Sequence, residues 1–241
     1  MGQGLGPAQG ARLALLGAFD LTLDGESVAL PMNGQRVLAF LALQGHSLLR
    51  SYVAGSLWLD STDDRAAGSL RSAIWRLNRR HRLVEATGER LRLAGSVTVD
   101  IHDAIVQAHR LLDPDDSDCP GPSDIRPVLL AGDLLPDWYD DWVEIERERF
   151  RQLRAHALEL LCDRLTAAER FGEAVEAGLA ATKSEPLRES AHRALVRVHL
   201  AEGNRNEALQ LYRRFRRLLH DELGLEPTPK MEALVAGVTS R

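Results

Sequence analysis

The spacing of apolar residues changes near Asp100, and this change constrains the fold more than any other feature of the 241-residue chain. Before Asp100, short segments of alternating apolar residues bounded by turn residues are typical of β-strands, and they flank three stretches with helical spacing. After Asp100 the alternating segments disappear, and apolar residues recur every three to four positions over most of the chain. The sequence therefore predicts a mainly α protein with small β-sheets that are confined to its first hundred residues.

The first hundred residues predict strands, then three helices, then a β-hairpin. This order of elements is that of a winged helix-turn-helix, in which a recognition helix enters the major groove of DNA. The hairpin turns at Thr87-Gly88-Glu89, where glycine tolerates the backbone conformation that a tight turn requires. The predicted strands cover residues 12–19, 20–30, 83–86 and 90–94, and the predicted helices cover 33–44, 49–57 and about 64–81.

The third predicted helix lies in the most basic part of the chain. Residues 65–92 contain eight arginines and only two acidic residues, whereas residues 101–241 have a net charge of −7. Leu70, Ile74 with Ala73, and Leu77 form the helix face that is expected to be buried. Arginine can bind guanine or phosphate through two hydrogen bonds, and serine leaves room for a close approach. The opposite face, which carries arginine and serine, is therefore expected to contact double-stranded DNA.

Eight residues are the candidates for this contact. Arg71 and Arg80 fall on the flanks of the exposed face, where a phosphate contact is expected rather than base reading. Arg90 lies at the hairpin tip, from which it could reach an adjacent groove or phosphate. Trp75 is expected to pack against protein rather than stack on bases. The candidates are Arg65, Ser69, Arg71, Ser72, Arg76, Arg79, Arg80 and Arg90.

The residues after Asp100 predict an all-α domain built from helical hairpins. Glu173-Ala174 recurs as Glu207-Ala208, 34 residues later, which is the period of tetratricopeptide repeats. Ala181, Ala191 and Ala194 are small residues of the kind that close helix packing requires. The predicted helices cover residues 101–112, 143–169, 172–184, 187–202, 204–223 and 228–238, and a loop is predicted over 113–124.

Two charged segments of this half keep more than one interpretation. In the acidic and aromatic segment 133–142, Trp138 and Trp142 are four residues apart and would pack together from one helix face, but such segments also serve as interaction patches. The arginine pairs at 213–214 and 216–217 fit a solvated helix face. They also fit a contact with DNA or with the acidic surface of a neighbouring subunit.

The sequence contains no pattern that favours catalysis. Its eight histidines are scattered without a carboxylate or cysteine at ligand spacing, and Cys119 and Cys162 lie in unrelated contexts. No apolar run approaches the roughly 20 residues of a membrane helix, and Met1–Arg12 lacks the features of a secretory signal. We therefore expect a cytoplasmic protein that is not an enzyme and that has no cofactor, no metal and no membrane partner.

Eight segments of the chain carry a resemblance to one family. They are LLGAFDLTLDG, GQRVLAFLAL, VAGSLW, GSLRSAIWRLNRR and GERLRL in the N-terminal half, and DLLPDWYDDWVEIERERFRQLR, EPLRESAHRALVRVHLAEGNRNEAL and YRRFRRLLHDELGLEPTPKM in the C-terminal half. The first group resembles the response-regulator type of winged helix found in the Streptomyces antibiotic regulatory protein family. The second group resembles that family's bacterial transcriptional activation domain, a set of tetratricopeptide-like helices. Together they cover the chain from about Arg12 to Val235.

The resemblance implies a cytoplasmic transcriptional activator of the family's short form. Such proteins bind direct repeats near a promoter, often as side-by-side dimers, and contact RNA polymerase and its sigma subunit. The implied domains are a disordered tail over 1–11, a winged helix-turn-helix over 12–100 and the activation domain over 101–241.

The family's motif also implies roles for the candidate residues. Gly68 departs from the motif, because a bulkier polar residue is frequent there in related winged helices. The base-reading positions fall on Ser69, Ser72, Arg76 and Arg79, the phosphate contacts on Arg65, Arg71 and Arg80, and the wing contact on Arg90.

A protein–protein adaptor is the alternative function. In that case the helical repeats would bind partners and the winged domain would no longer bind DNA. The stripe of arginines argues against it, since a surface for protein alone would not need so many unpaired arginines. Salt-dependent binding to random duplex DNA would distinguish the two functions.

Overall fold

The computed structural model describes residues 10–79, 81–113 and 132–239. The chain divides into two compact units: the first runs to His102 and also contains Asp133–Glu146, and the second contains the remaining residues from Asp103 on. The predicted disordered tail and the predicted loop over 113–124 lie outside the described residues, except for Gly10, Ala11 and Asp113. Ala11 already belongs to a strand, so regular structure begins one residue earlier than predicted.

The first unit contains two small β-sheets. A four-stranded sheet has the order β3-β2-β1-β7, in which β1 pairs antiparallel with β2 and parallel with β7, and a three-stranded antiparallel sheet has the order β4-β6-β5. The strands are β1 (Ala11–Ala14), β2 (Asp20–Leu23), β3 (Glu26–Ser27), β4 (Leu48–Leu49), β5 (Val84–Thr87), β6 (Arg90–Leu93) and β7 (Val97–Val99).

Three helices lie between the first strands and the hairpin. They are α1 (Met32–Gln44), α2 (Arg50–Leu57) and α3 (Asp63–Leu77), and α3 packs against both of the others. The predicted order of strands, three helices and hairpin is confirmed, and so is the predicted fold class. The predicted end of the third helix near residue 81 is wrong, because α3 ends at Leu77.

The carboxylate of Asp100 joins the end of β1 to the start of the next helix. It accepts hydrogen bonds from the backbone N–H groups of Leu15, at 2.9 and 3.1 Å, and of Leu16, at 3.1 Å. It also accepts one from the N–H of Ile101, at 2.7 Å, in the first turn of α4 (Asp100–Leu112). An acidic side chain is favourable there, because the first N–H groups of a helix have no partner within the helix.

The acidic and aromatic segment before the long helix α5 (Asp141–Ala167) packs in the first unit. The ring of Trp138 stacks on Phe19 at 6.0 Å between centroids, and Trp142 meets Phe40 edge-on at 5.1 Å. Both tryptophans therefore pack as predicted, but Trp138 precedes α5, so they do not pack from one helix face. Tyr139, between them, is 83% exposed.

The second unit is a stack of helices. Besides parts of α4 and α5 it contains α6 (Phe171–Ser184), α7 (Glu189–Glu202), α8 (Arg205–Leu223) and α9 (Pro229–Thr239). α6 packs on α7, and α7 packs on α8. Ala181, Ala191 and Ala194 are buried between these helices, which is the role that the sequence predicts for small residues.

Candidate nucleic-acid interface

α3 is held in the first unit by an apolar stripe. Ala66, Leu70, Ala73 and Leu77 are buried at spacings of four, three and four residues, which puts them on one helix face. Asp63 and Asp64 occupy the first turn, where negative charge is favourable beside the helix dipole. The opposite face of α3 is left to the solvent.

Asn78 ends α3 and connects it to the hairpin. Its side-chain oxygen accepts hydrogen bonds from the N–H groups of Leu83, at 3.1 Å, and Val84, at 3.0 Å, and its amide nitrogen donates to the Val84 carbonyl at 2.8 Å. These bonds turn the chain toward β5 and stop the helix. Arg79 therefore lies beyond α3, which corrects its predicted place on the helix face. Arg80 lies outside the described residues.

The outermost residues of α3 differ from those that the sequence predicts. Successive helix residues are rotated by about 100°, so the direction opposite the buried stripe falls on Gly68 and Trp75, with Asp64 of the first turn and then Arg71 and Ser72 beside it. Arg71 and Ser72 are exposed, and Trp75 is 66% exposed. The expectation that Trp75 packs against protein is therefore wrong. The predicted inward face contains Leu70, Ile74 with Ala73, and Leu77, whereas the buried stripe includes Ala66 and leaves Ile74 half-buried.

Arg65, Ser69 and Arg76 lie toward one side of the exposed face. They border a cavity of about 580 Å³ between α3 and the start of α1, where Pro31 and Asn33 line it. Arg65 and Arg76 are exposed and Ser69 is half-buried. The structure thus brings five of the candidates together on α3: Arg65, Ser69, Arg71, Ser72 and Arg76.

The hairpin of β5 and β6 forms the wing. Gly88, at its tip, has a positive φ of 56°, and the carbonyl of Glu89 accepts a hydrogen bond from the Arg50 N–H at 2.8 Å, which fixes the tip to α2. Arg90 follows the tip and is exposed, as predicted, and one of its guanidinium nitrogens donates to the Ser47 carbonyl at 2.8 Å. Since a guanidinium has five N–H donors, Arg90 keeps most of its donors for another partner.

The arginines of α3 have no side-chain partner among the residues that the structure describes. Arg65, Arg71 and Arg76 make no hydrogen bond through their side chains and no ion pair with any residue that the structure describes. By contrast, several arginines of the second unit pair with carboxylates, as Arg197 does with Asp163 through bonds of 2.7 and 2.8 Å. An exposed cluster of unpaired guanidinium groups can bind a polyanion without breaking bonds within the protein.

Other kinds of site lack support in the part of the chain that the structure describes. No group of histidine, cysteine and acidic residues there could hold a metal ion. Burial raises the pKa of the Cys162 thiol to about 12, so this side chain stays a neutral thiol. None of the described helices combines the length and apolar character needed to cross a membrane.

A winged helix-turn-helix joined to a stack of helices is an architecture of transcription regulators, and the comparisons with known proteins agree with it. Residues 129–238 match the bacterial transcriptional activator domain. The chain is 27% identical over 234 residues to the regulatory protein AfsR of Streptomyces coelicolor, which covers 92% of this chain and 24% of AfsR. It is 25% identical over 237 residues to AfsR of Streptomyces griseus, and this alignment covers 94% of this chain and 24% of that AfsR. The chain thus spans about a quarter of the length of these relatives.

The fold also occurs in a solved structure. Mycobacterium tuberculosis EmbR, solved in complex with a low affinity phosphopeptide, superposes with a TM-score of 0.74 at 21% sequence identity over 93% of this chain and 64% of EmbR. The activator-domain match and the two AfsR relatives support the resemblance to the Streptomyces antibiotic regulatory protein family that the sequence indicates, and they identify the chain as a transcription regulator.

Proposed function

We propose that the chain is a sequence-specific DNA-binding transcriptional activator that reads the major groove with α3. The observation that carries this proposal is the cluster of unpaired, exposed arginines on the face of α3 that points away from the core. Arginine is the residue most suited to guanine edges and phosphates, and α3 is the helix that a winged helix-turn-helix inserts into DNA.

The geometry of α3 favours base contacts for some of the candidate residues and phosphate contacts for others. Arg71 and Ser72 lie beside the outermost line of the helix, so they would meet base edges when the helix enters the groove. Arg65 and Arg76 lie farther round, toward α1, so they would meet the phosphates along one strand. Arg90 would add a phosphate or groove contact from the wing. Ser69, Arg79 and Arg80 remain proposed contacts.

Affinity would come mainly from phosphate neutralisation. With about six phosphate contacts per subunit, the logarithm of the binding constant should fall with the logarithm of salt concentration at a slope of roughly −5. One winged domain reads few base pairs, so two subunits on a direct repeat would supply the remaining specificity through their high effective concentration. We accordingly propose a side-by-side homodimer on DNA.

Single substitutions on α3 test the proposal. We would select the operator by footprinting the purified chain on genomic DNA, and then measure binding to this operator and to a scrambled duplex. Arg71→Ala should weaken operator binding by about 1–3 kcal/mol with little effect on the scrambled duplex. Arg76→Ala should weaken both and reduce the salt slope by about 1.

Arg12→Ala is the matched control, because Arg12 is an exposed arginine on β1, outside the proposed interface. It removes the same charge and should leave both affinities near those of the wild type. Wild-type protein that fails to retard any duplex at low salt would contradict DNA binding and favour the adaptor function.

Activation is the second part of the proposal. The match to the bacterial transcriptional activator domain supports a contact with RNA polymerase or its sigma subunit, made in the cytoplasm where the chromosome is transcribed. Purified polymerase and a template carrying the operator would test it directly. Wild-type protein should raise transcript yield. Arg71→Ala should not raise it at concentrations at which the wild type fills the operator and the variant does not. Unchanged yield on a filled operator would contradict activation but not DNA binding.

A further inference from the structure

Trp75 is a large apolar side chain on the exposed face of α3, where it does not contribute to the core. All residues of α3 are described, and Trp75 is the one large apolar side chain among them that is exposed, at 66%. The apolar residues that hold α3 in the unit lie on the opposite face. Trp75 therefore contributes surface to the solvent rather than to the core.

The indole is held by its neighbours. The guanidinium carbon of Arg79 lies 5.9 Å from the ring centroid of Trp75, within the range of a cation–π contact. Arg79 follows Asn78, whose three side-chain hydrogen bonds fix the chain between α3 and β5. The guanidinium of Arg79 thus covers one face of the indole ring. The remaining surface of the ring is exposed on the outermost line of the helix.

The chemistry of the major groove suggests what this surface meets. The base edges there present hydrogen-bond donors and acceptors together with one apolar group, the C5-methyl group of thymine. We propose that Trp75 packs against a thymine methyl group and makes thymine the preferred base opposite the centre of α3. This inference rests on the proposed DNA binding, and it assigns a specificity residue beyond the arginines and serines of the interface.

Two other uses of an exposed indole fit the surroundings less well. Self-association through Trp75 would bring Arg71, Arg76 and Arg79 of two copies together, and one side chain of about 150–250 Å² is small beside the roughly 1,600 Å² of a stable interface. Insertion between base pairs is a device of proteins that wedge side chains in from the minor groove. A helix in the major groove presents its side chains to base edges instead.

Removal of single methyl groups from the DNA tests the proposal. Each thymine of the selected operator is replaced in turn by deoxyuridine, which lacks the methyl group but keeps the hydrogen-bonding groups. Wild-type protein should lose about three- to five-fold in affinity at one or two positions, since each replacement removes one buried methyl group. Trp75→Ala should bind the unmodified operator more weakly, and it should no longer respond to deoxyuridine at those positions.

Leu59→Ala is the matched control, because Leu59 is 77% exposed in the same unit but lies outside α3. It should keep the full response to deoxyuridine. Because Trp75 is largely exposed, Trp75→Ala should fold normally, and its circular dichroism and melting temperature should match those of the wild type.

Three results would overturn the inference: no deoxyuridine position affects wild-type binding, Trp75→Ala keeps the full response, or Trp75→Ala changes the oligomeric state without DNA. If the wild type binds no duplex specifically, the proposed function itself fails. That failure is distinguishable, because it appears before any methyl group is removed.

Discussion

Gly178 lies where α6 and α7 pack closely together. A Cβ atom built there would lie 2.8 Å from Cδ1 of Leu195 and 3.3 Å from the sulfur of Cys162. Gly178→Ala should therefore destabilise the second unit by about 1–3 kcal/mol through overpacking, even though alanine favours helix by about 1 kcal/mol. Urea unfolding followed by circular dichroism measures the change.

Gly172→Ala provides the matched control for this substitution. Gly172 lies in the same helix, but a Cβ atom there would meet nothing within 4 Å. This variant should be as stable as the wild type or more stable by up to about 1 kcal/mol. If Gly178→Ala is stabilised to the same extent, the close approach of α6 and α7 is not as tight as described.

The lowered pKa of the Glu189 carboxyl predicts how the stability of the protein depends on pH. Burial disfavours its charged form, but hydrogen bonds from Thr228 and Arg193 outweigh this effect and hold the pKa of the Glu189 carboxyl below its ordinary value of 4.5. Because the pKa is lowered in the folded state, these bonds stabilise the fold above the ordinary pKa. The stabilisation is lost as the pH falls below 4.5 and through the folded-state pKa.

Thr228→Val tests this dependence, because it removes the hydroxyl that donates to Glu189. The variant should be less stable than the wild type at pH 7 and should lose less stability between pH 5 and pH 3.5. Thr182→Val is the control, since the Thr182 hydroxyl donates only to a backbone carbonyl of its own helix, at 3.0 Å. Melting temperatures across this pH range would refute the assignment if both variants followed the same curve.

At the scale of elements, Asn78 joins the recognition helix to the wing. Asn78→Ala removes three hydrogen bonds and leaves the half-buried turn without them, so the first unit should lose about 1–3 kcal/mol of stability. Amide hydrogen exchange should accelerate at Leu83 and Val84. Asn78→Asp keeps the acceptor oxygen, so its stability should lie between that of the wild type and that of Asn78→Ala. Unchanged exchange in Asn78→Ala would contradict the coupling of α3 to the wing.

The helices were more predictable from sequence than the strands. α1 begins one residue before its predicted start and ends at the predicted Gln44, because its apolar spacing and the following Gly45 are local signals. β7 went unpredicted because its partner is distant in sequence: Val97 pairs with Ala11. β4 is two residues long, too short for any alternating pattern. The end of α3 depends on side-chain bonds from Asn78 to residues that follow it, and helical spacing does not contain them.

The sequence predicts which helix carries the candidate residues, but it does not predict which face of that helix is outermost. The run of arginines indicates the basic helix, yet the exposed position of Trp75 follows only once the buried stripe includes Ala66 and excludes Ile74. A small residue such as Ala66 carries a weak hydrophobic signal, so the predicted face is centred closer to Ile74.

At the scale of the whole molecule, charge divides unevenly along the chain. Residues 101–241 have a net charge of −7, yet Arg213 and Arg217 on α8 are exposed and make no ion pair with any described residue. We expect the double variant Arg213→Ala/Arg217→Ala to keep the salt slope of DNA binding, because α8 is not part of the proposed interface. The matched double variant Arg65→Ala/Arg76→Ala should reduce the slope by about 2. An equal reduction for both would mean that α8 also contacts phosphates.

The junction at Asn78 has a thermodynamic consequence for recognition. Helix and wing are bonded to each other before DNA arrives, so association requires little ordering of the backbone on the protein side. The heat capacity of binding should then reflect only the surface buried at the interface, without the large additional decrease that accompanies coupled folding. The duplex, rather than the first unit of the protein, would have to deform to improve the fit, so base steps that bend easily would be favoured between the contacted bases.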